Sequence, residues 1–202
     1  MVNMEIPFSR WHDAVSKRRS IRQYAPKPVE AVNLETMRRV CAGFRPFQSV
    51  RAVLVSDPPE DVFRGIPGGY GKIKSAPALL ALVGNMQSPD VQEALGYTGE
   101  GVILEATALG LATCWVGGFF WPKRAAAIAK VEPNERVLAV TPIGYAREVS
   151  SLQERAMSRF GRNWQRRPLS DLVTGLEEKD RPAFGVGGGL GAHRHPSRVR
   201  RR

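Results

Sequence analysis

Residues 96–119, GYTGEGVILEATALGLATCWVGGF, contain the change of pattern that decides the fold. Their first half continues a helical pattern, with apolar residues recurring at Ala94, Val102, Leu104, Ala106, Ala108 and Leu109. Ser88-Pro89-Asp90 supplies a start signal, with proline suited to the first helical position. Gly110 is the stop, so a long helix is expected from there to about Leu109. Gly96, Gly99 and Gly101 each lower helix propensity by roughly 1 kcal/mol relative to alanine. Such glycines are tolerated best where another backbone packs closely, as between two helices. The second half switches to a buried strand, Leu111 to Val116, which Gly117-Gly118 interrupts.

The same alternation extends outward in both directions. Upstream, Ser9 is placed to cap a helix running through Trp11, Ala14 and Val15 to about Arg18. Pro26 and Pro28 then impose an extended turn before a second helix, Glu30 to Ala42, whose inward candidates are Val32, Met37, Val40 and Cys41. Ala52–Ser56 and the continuous apolar run Ala78–Val83 read as strands. Between them lies a glycine-rich loop, residues 64–72. Downstream, Pro122 opens a short helix, and Arg136–Tyr145 reads as a strand in which Pro142 requires an edge, a bulge or an end. Strands alternating with helices define an α/β (α+β) domain, a mixed central sheet covered by helices.

With 202 residues and 43% hydrophobic content, one sizeable core and one domain are expected. No run approaches the roughly eighteen apolar residues of a membrane span, and the N-terminus shows no signal-peptide pattern. Cys41 and Cys114 are far apart and match no metal spacing, so both read as buried thiols in a reducing cytoplasm. The net charge of +11 raises nucleic-acid binding as a reading. The charge, however, falls in local arginine clusters without the interleaved aromatics of a base-stacking surface. Residues 174–202 hold seven Lys/Arg against three Asp/Glu and six glycines, a composition expected to be a disordered tail beyond a domain of residues 1–173. Nucleic acid is therefore disfavoured as a partner.

Three segments carry chemistry. In Lys17-Arg18-Arg19-Ser20-Ile21-Arg22-Gln23-Tyr24, three guanidiniums and a hydroxyl fall within five residues, a donor set suited to a phosphate monoester. A competing reading needs no ligand: basic residues stabilise a helix C-terminus. Gly117-Gly118 would let main-chain N–H groups approach the flat edge of a ring, or it is a tight turn. Gln165-Arg166-Arg167-Pro168-Leu169, taken alone, is a solvated charge run.

The order of these segments resembles the flavin-dependent nitroreductase superfamily, in particular its branch of larger members. The resemblance rests on RRSIRQY (residues 18–24), GLATCWVGGF (110–119), the PIGYA strand end and RRPLSDLV (166–173), and spans about Phe8 to Val173. It implies an FMN cofactor with NAD(P)H as electron donor, working by a ping-pong cycle on a nitroaromatic, quinone or similar small-molecule acceptor. Arg18, Arg19, Ser20 and Arg22 would hold the phosphate and ribityl chain. Gly117 and Gly118 would lie against the isoalloxazine, and Arg166 and Arg167 would return to the phosphate. The resemblance also implies a cytoplasmic homodimer. It requires no catalytic side chain and no metal, and His12, His193 and His195 read as surface residues. Phe119, Phe120, Trp121 and Tyr70 are candidates to face the substrate from their position near glycine loops.

One family feature is not matched. An Ala-Pro-Ser segment followed by Asn and Gln-Pro-Trp, which adds flavin contacts, is expected after the second helix, where this chain reads Cys41-Ala42-Gly43-Phe44-Arg45-Pro46-Phe47-Gln48. In the larger members that segment lies beyond the RRPLSDLV-like end, in a second half that is not expected here. The alternative to an enzyme is a relative of the same fold that binds flavin weakly or not at all.

Overall fold

The computed structural model describes residues 4–63, 73 and 75–147. Arg166, Arg167, the loop 64–72 with Tyr70, and the stretch 174–202 with His193 and His195 lie outside the described residues.

The sheet is organised around β2 (Ala78–Asn85), every residue of which but the last is buried, as its two-sided apolar run requires. β1 (Val50–Ser56) lies on one side of β2, and β4 (Glu135–Gly144) followed by β3 (Ala112–Thr113) on the other, giving the order β1-β2-β4-β3. All three ladders are antiparallel. Among the described residues, the parallel contribution is a single bridge, Ser20 to Thr113, where the N-terminal segment joins the β3 edge. Strand alternation sorts the core into two layers. Leu80, Leu82, Ala139 and Ile143 pack beneath α1 (Phe8–Lys17), α2 (Ala31–Gly43) and α3 (Val91–Ala108). Leu79, Ala81, Val83 and Val140 pack beneath α4 (Pro122–Ala129) on the opposite face.

Several boundaries differ from the sequence expectation for local reasons. α1 begins before Ser9 because the Pro7 carbonyl already accepts the Trp11 N–H at 3.0 Å, so Ser9 lies inside the first turn. In α2, Met37, Val40 and Cys41 are buried, but Val32 is 66% exposed. Val32 is five residues before Met37, about 140° away around the helix, and Val29 is buried just ahead of it. α3 starts after Asp90, so Pro89 precedes the helix. Gly110 ends the α3 segment in a left-handed conformation (φ +76°). β3 has two residues rather than six, and contact with β4 resumes only at the Val116–Val140 bridge.

Pro142 therefore lies within β4, an inner strand. The Val140 N–H and carbonyl both pair with Val116, so the nitrogen of Pro142, two residues on, points to that same side. It meets the gap between Thr113 and Val116, where no ladder donor is needed. A register shift at Leu82/Val83 bends the opposite ladder.

Candidate cofactor site

Residues 18–24 leave α1 in extended form and run along one end of the sheet. Arg18 caps the helix, its N–H bonded to the Ala14 carbonyl at 2.9 Å. Ile21 N–H then donates to Thr113 at 2.9 Å, Ser20 bridges to Thr113, and Tyr24 pairs with Ala146 beyond β4. The Tyr24 hydroxyl donates to the Ile21 carbonyl at 2.7 Å, folding the segment onto itself. The arginine-serine stretch is thereby fixed beside β3, whose Thr113 precedes Gly117 by four residues.

The three arginines divide their roles. Arg19 turns back on its own helix, its Nη1 donating to the carbonyls of Ser16 at 2.8 Å and Arg18 at 2.9 Å, which is the ligand-free use of a cation at a helix C-terminus. Arg18 and Arg22 are close enough to the buried Cys114 thiol for their charges to act on it. Burial pushes that thiol above its ordinary range, and Arg22, a hydrogen bond from Ser20 and Arg18 each pull it partly back. Arg18 is held through Nε by Glu100 at 3.3 Å, while its Nη1 is buried without a hydrogen-bond partner. No ion pair to Arg22 occurs among the described residues. An unsatisfied buried donor costs about 1–3 kcal/mol, and an anion's oxygens would supply the missing acceptors.

Gly117 and Gly118 are exposed. A Cβ added at either meets no described atom within 4 Å, and neither has the positive φ that demands glycine. The turn itself therefore does not need these glycines, whereas a flat ring brought against the backbone would. Beyond them Phe119 and Trp121 are exposed, but Phe120 is buried and bridges to Phe63. Phe120 thus belongs to the core rather than to a substrate-facing surface. The donor set and the open glycine backbone together fit a phosphate-bearing planar cofactor.

One residue that sequence reasoning missed links the two segments. Glu100 accepts the Trp115 indole N–H at 2.8 Å and forms an ion pair with Arg18. The signal was present in Gly99-Glu100-Gly101, an acid flanked by helix-interior glycines. Those glycines make room for side chains rather than for another backbone: a Cβ at Gly99 would lie 2.4 Å from the Trp115 ring, and one at Gly101 would lie 2.4 Å from Phe44. At the mismatched segment 41–48, Phe44 is buried, edge-on to Trp11 and stacked with Tyr97. A separate cavity of about 260 Å³ opens between α2 and β1, lined in part by Arg38, Arg45 and Arg51. Arg38 and Arg51 there are already paired with Glu35 and Glu135.

An antiparallel sheet under three helices on one face and one on the other, with an arginine-serine strand beside β3 and an open glycine pair after it, defines a protein of the nitroreductase fold. The chain belongs to the nitroreductase superfamily: the family described as "Putative TM nitroreductase" matches residues 11–185, past Val173 into the glycine-rich stretch. Solved structures carry the same fold. A variant of the FMN- and NADPH-dependent nitroreductase NfnB from Sphigopyxis sp. strain HMH aligns at TM-score 0.62 and 16% identity, over 83% of this chain and 99% of that one. An oxidoreductase containing FMN aligns at TM-score 0.62 and 19% identity, over 82% and 91% of the two chains. A nitroreductase family protein from Clostridium difficile 630 aligns at 0.56 and 22%, over 82% and 98%. No curated protein matches this chain by sequence. Among the described residues, no helix is long and apolar enough to cross a membrane.

Proposed function

We propose that the protein is an FMN-dependent oxidoreductase that takes electrons from NAD(P)H and passes them, in ping-pong order, to a nitroaromatic, quinone or similar small-molecule acceptor. The observation that carries this reading is the buried, unpartnered Nη1 of Arg18, in a segment that also carries Arg22 and Ser20 and that bridges to Thr113, four residues ahead of an open glycine pair. Bound FMN would supply the hydride and electron chemistry, leaving binding and electrostatics to the protein. Arg18 and Arg22 neutralise the phosphate, Ser20 donates to the phosphate or ribityl oxygens, and Arg19 adds positive potential from the helix end. Gly117 and Gly118 would present backbone N–H groups to the ring edge, where a donor would favour the reduced, negatively charged form. The resemblance also assigns Arg166 and Arg167 to the phosphate, and both lie outside the described residues. The working unit in this reading is a homodimer in the cytoplasm.

A second reading, a relative that holds flavin weakly, is favoured by the 41–48 segment, where Phe44 occupies core rather than cofactor space. One measurement separates the two. The purified protein is mixed with FMN and desalted, and its visible spectrum is recorded. Flavin bands near one per chain, followed by NAD(P)H oxidation with a nitro or quinone acceptor, are expected. Folded protein that retains no flavin sinks the enzyme reading and leaves the second.

A further inference from the structure

Glu100 touches Arg18, in one segment assigned to the cofactor, and Trp115, just ahead of the other. Its Oε2 accepts the Trp115 indole N–H at 2.8 Å, and its Oε1 lies 3.3 Å from Arg18 Nε. Arg18 opens the arginine-serine strand, and Trp115 stands two residues before Gly117. Gly99 makes the double contact possible, because a Cβ there would stand 2.4 Å from the indole Cη2 and 2.6 Å from Leu82 Cδ1. Gly101 does the same on the other side for Phe44 and Trp11. The helix thus lowers its wall on both sides of one carboxylate.

We propose that Glu100 is a positioning residue for the phosphate-binding site, orienting Arg18 and, through Trp115, fixing that guanidinium relative to Gly117-Gly118. The inference rests on the flavin reading above. A guanidinium carries its five N–H donors in one plane, so holding Nε sets the plane and leaves the Nη edge for an incoming oxyanion. Arginine otherwise has many rotamers, and a site that orders it beforehand loses less on binding. A carboxylate near a phosphate also repels it. That repulsion is the smaller effect here: the Glu100 side chain is 38% exposed and screened by solvent, while Arg18 is only 16% exposed. Orientation therefore outweighs repulsion.

The test uses the full chain and two ligands, FMN and riboflavin, which differ by the phosphate, with affinity read from flavin fluorescence. Glu100→Gln keeps an acceptor for the indole but loses the charge that holds Arg18. It should weaken FMN about tenfold and leave riboflavin unchanged, and it should have no further effect when Arg18 is already alanine. Equal loss for both ligands, or an equal loss with and without Arg18, would make Glu100 a general structural prop and overturn the proposal. Tighter FMN binding would show that repulsion dominates, with the same consequence. If Glu100→Gln does not fold, Glu100→Asp, one methylene too short to reach both partners, is read against the same outcomes. Folded wild-type protein that binds neither ligand defeats the flavin reading and this proposal together. Tight wild-type binding with indifferent Glu100 variants defeats this proposal alone.

Discussion

Arg51 and Glu135 are joined across an intervening strand. Arg51 leaves edge strand β1, Glu135 opens β4, and β2 runs between them, yet the guanidinium meets the carboxylate through Nε at 2.9 Å and Nη2 at 2.6 Å. The same Nη2 also donates to the Lys130 carbonyl at 3.1 Å, and the Glu132 N–H donates to Glu135 at 2.9 Å. The Arg51 hydrogen bond is the main reason the Glu135 carboxyl titrates below its ordinary range. A carboxyl depressed in the folded state stabilises the protein above its unfolded pKa, and that contribution is lost as pH falls through the depressed value. Arg51→Met should therefore cost about 1–2 kcal/mol near neutrality, since the pair is bidentate but not fully buried. It should also flatten the acid limb of stability below the ordinary carboxylate range. Urea unfolding from pH 3 to 7 reads both effects, and an acid limb identical to wild type would show that the pair does not couple to folding.

Three glycines in one helix should respond to alanine with opposite signs. Gly96 faces open space, so Gly96→Ala should stabilise by about 0.5–1 kcal/mol through helix propensity alone. At Gly101 a Cβ would stand 2.4 Å from Phe44 and 2.9 Å from Trp11, both rings locked in the core. Gly101→Ala should destabilise by about 1–3 kcal/mol despite the same propensity gain. Gly99→Ala should follow Gly101, because the Trp115 ring and Leu82 cannot both retreat. Thermal melts of the three variants test the pattern, and stabilisation by Gly101→Ala would mean that the ring packing is looser than it stands here.

Elements announced by local chemistry were legible in the sequence. The two-sided burial of β2, the stop at Gly110 and the proline start of α4 all follow from residues within a few positions of the feature. What was not legible depended on partners far along the chain. Val32 looks inward by hydropathy, but the phase of α2 is set by Met37, Val40 and Cys41 meeting the core. Phe120 looks accessible beside two glycines, but Phe63, fifty-seven positions earlier, closes over it. The arginine-serine motif was visible as a donor set. That Arg19 turns back on its own helix while Arg18 is held by Glu100 depends on contacts that spacing does not encode. In α3 the glycines were read as signs of a close backbone, whereas aromatic rings from three other segments occupy the space at Gly99 and Gly101, and Gly96 faces none.

The two thiols should be inert in the native state. Burial pushes the Cys41 thiol up to about 12, and burial also raises Cys114, against the pull of Arg22, Ser20 and Arg18. Since the thiolate is the reactive form, neither should react appreciably with a disulfide reagent at pH 8 until the chain unfolds. Titration with such a reagent before and after denaturant checks this, with both thiols expected to appear only after unfolding. Partial native reactivity should come from Cys114 first, because its cationic neighbours favour the thiolate.

Gly117→Ala and Gly118→Ala separate a role in folding from a role in binding. Neither added methyl meets a described atom within 4 Å and neither backbone is left-handed, so the apoprotein should melt within about 2–3 °C of wild type, or slightly higher because the unfolded chain loses freedom. Against a bound planar ring the same methyl would stand between backbone and cofactor, and its N–H could no longer approach closely. FMN affinity should therefore fall by about tenfold or more, a loss of roughly 1.4 kcal/mol or greater. Melting curves without ligand and fluorescence titration with FMN give the two numbers independently. Unchanged stability with lost affinity assigns the glycines to the cofactor; lost stability with unchanged affinity returns them to the turn.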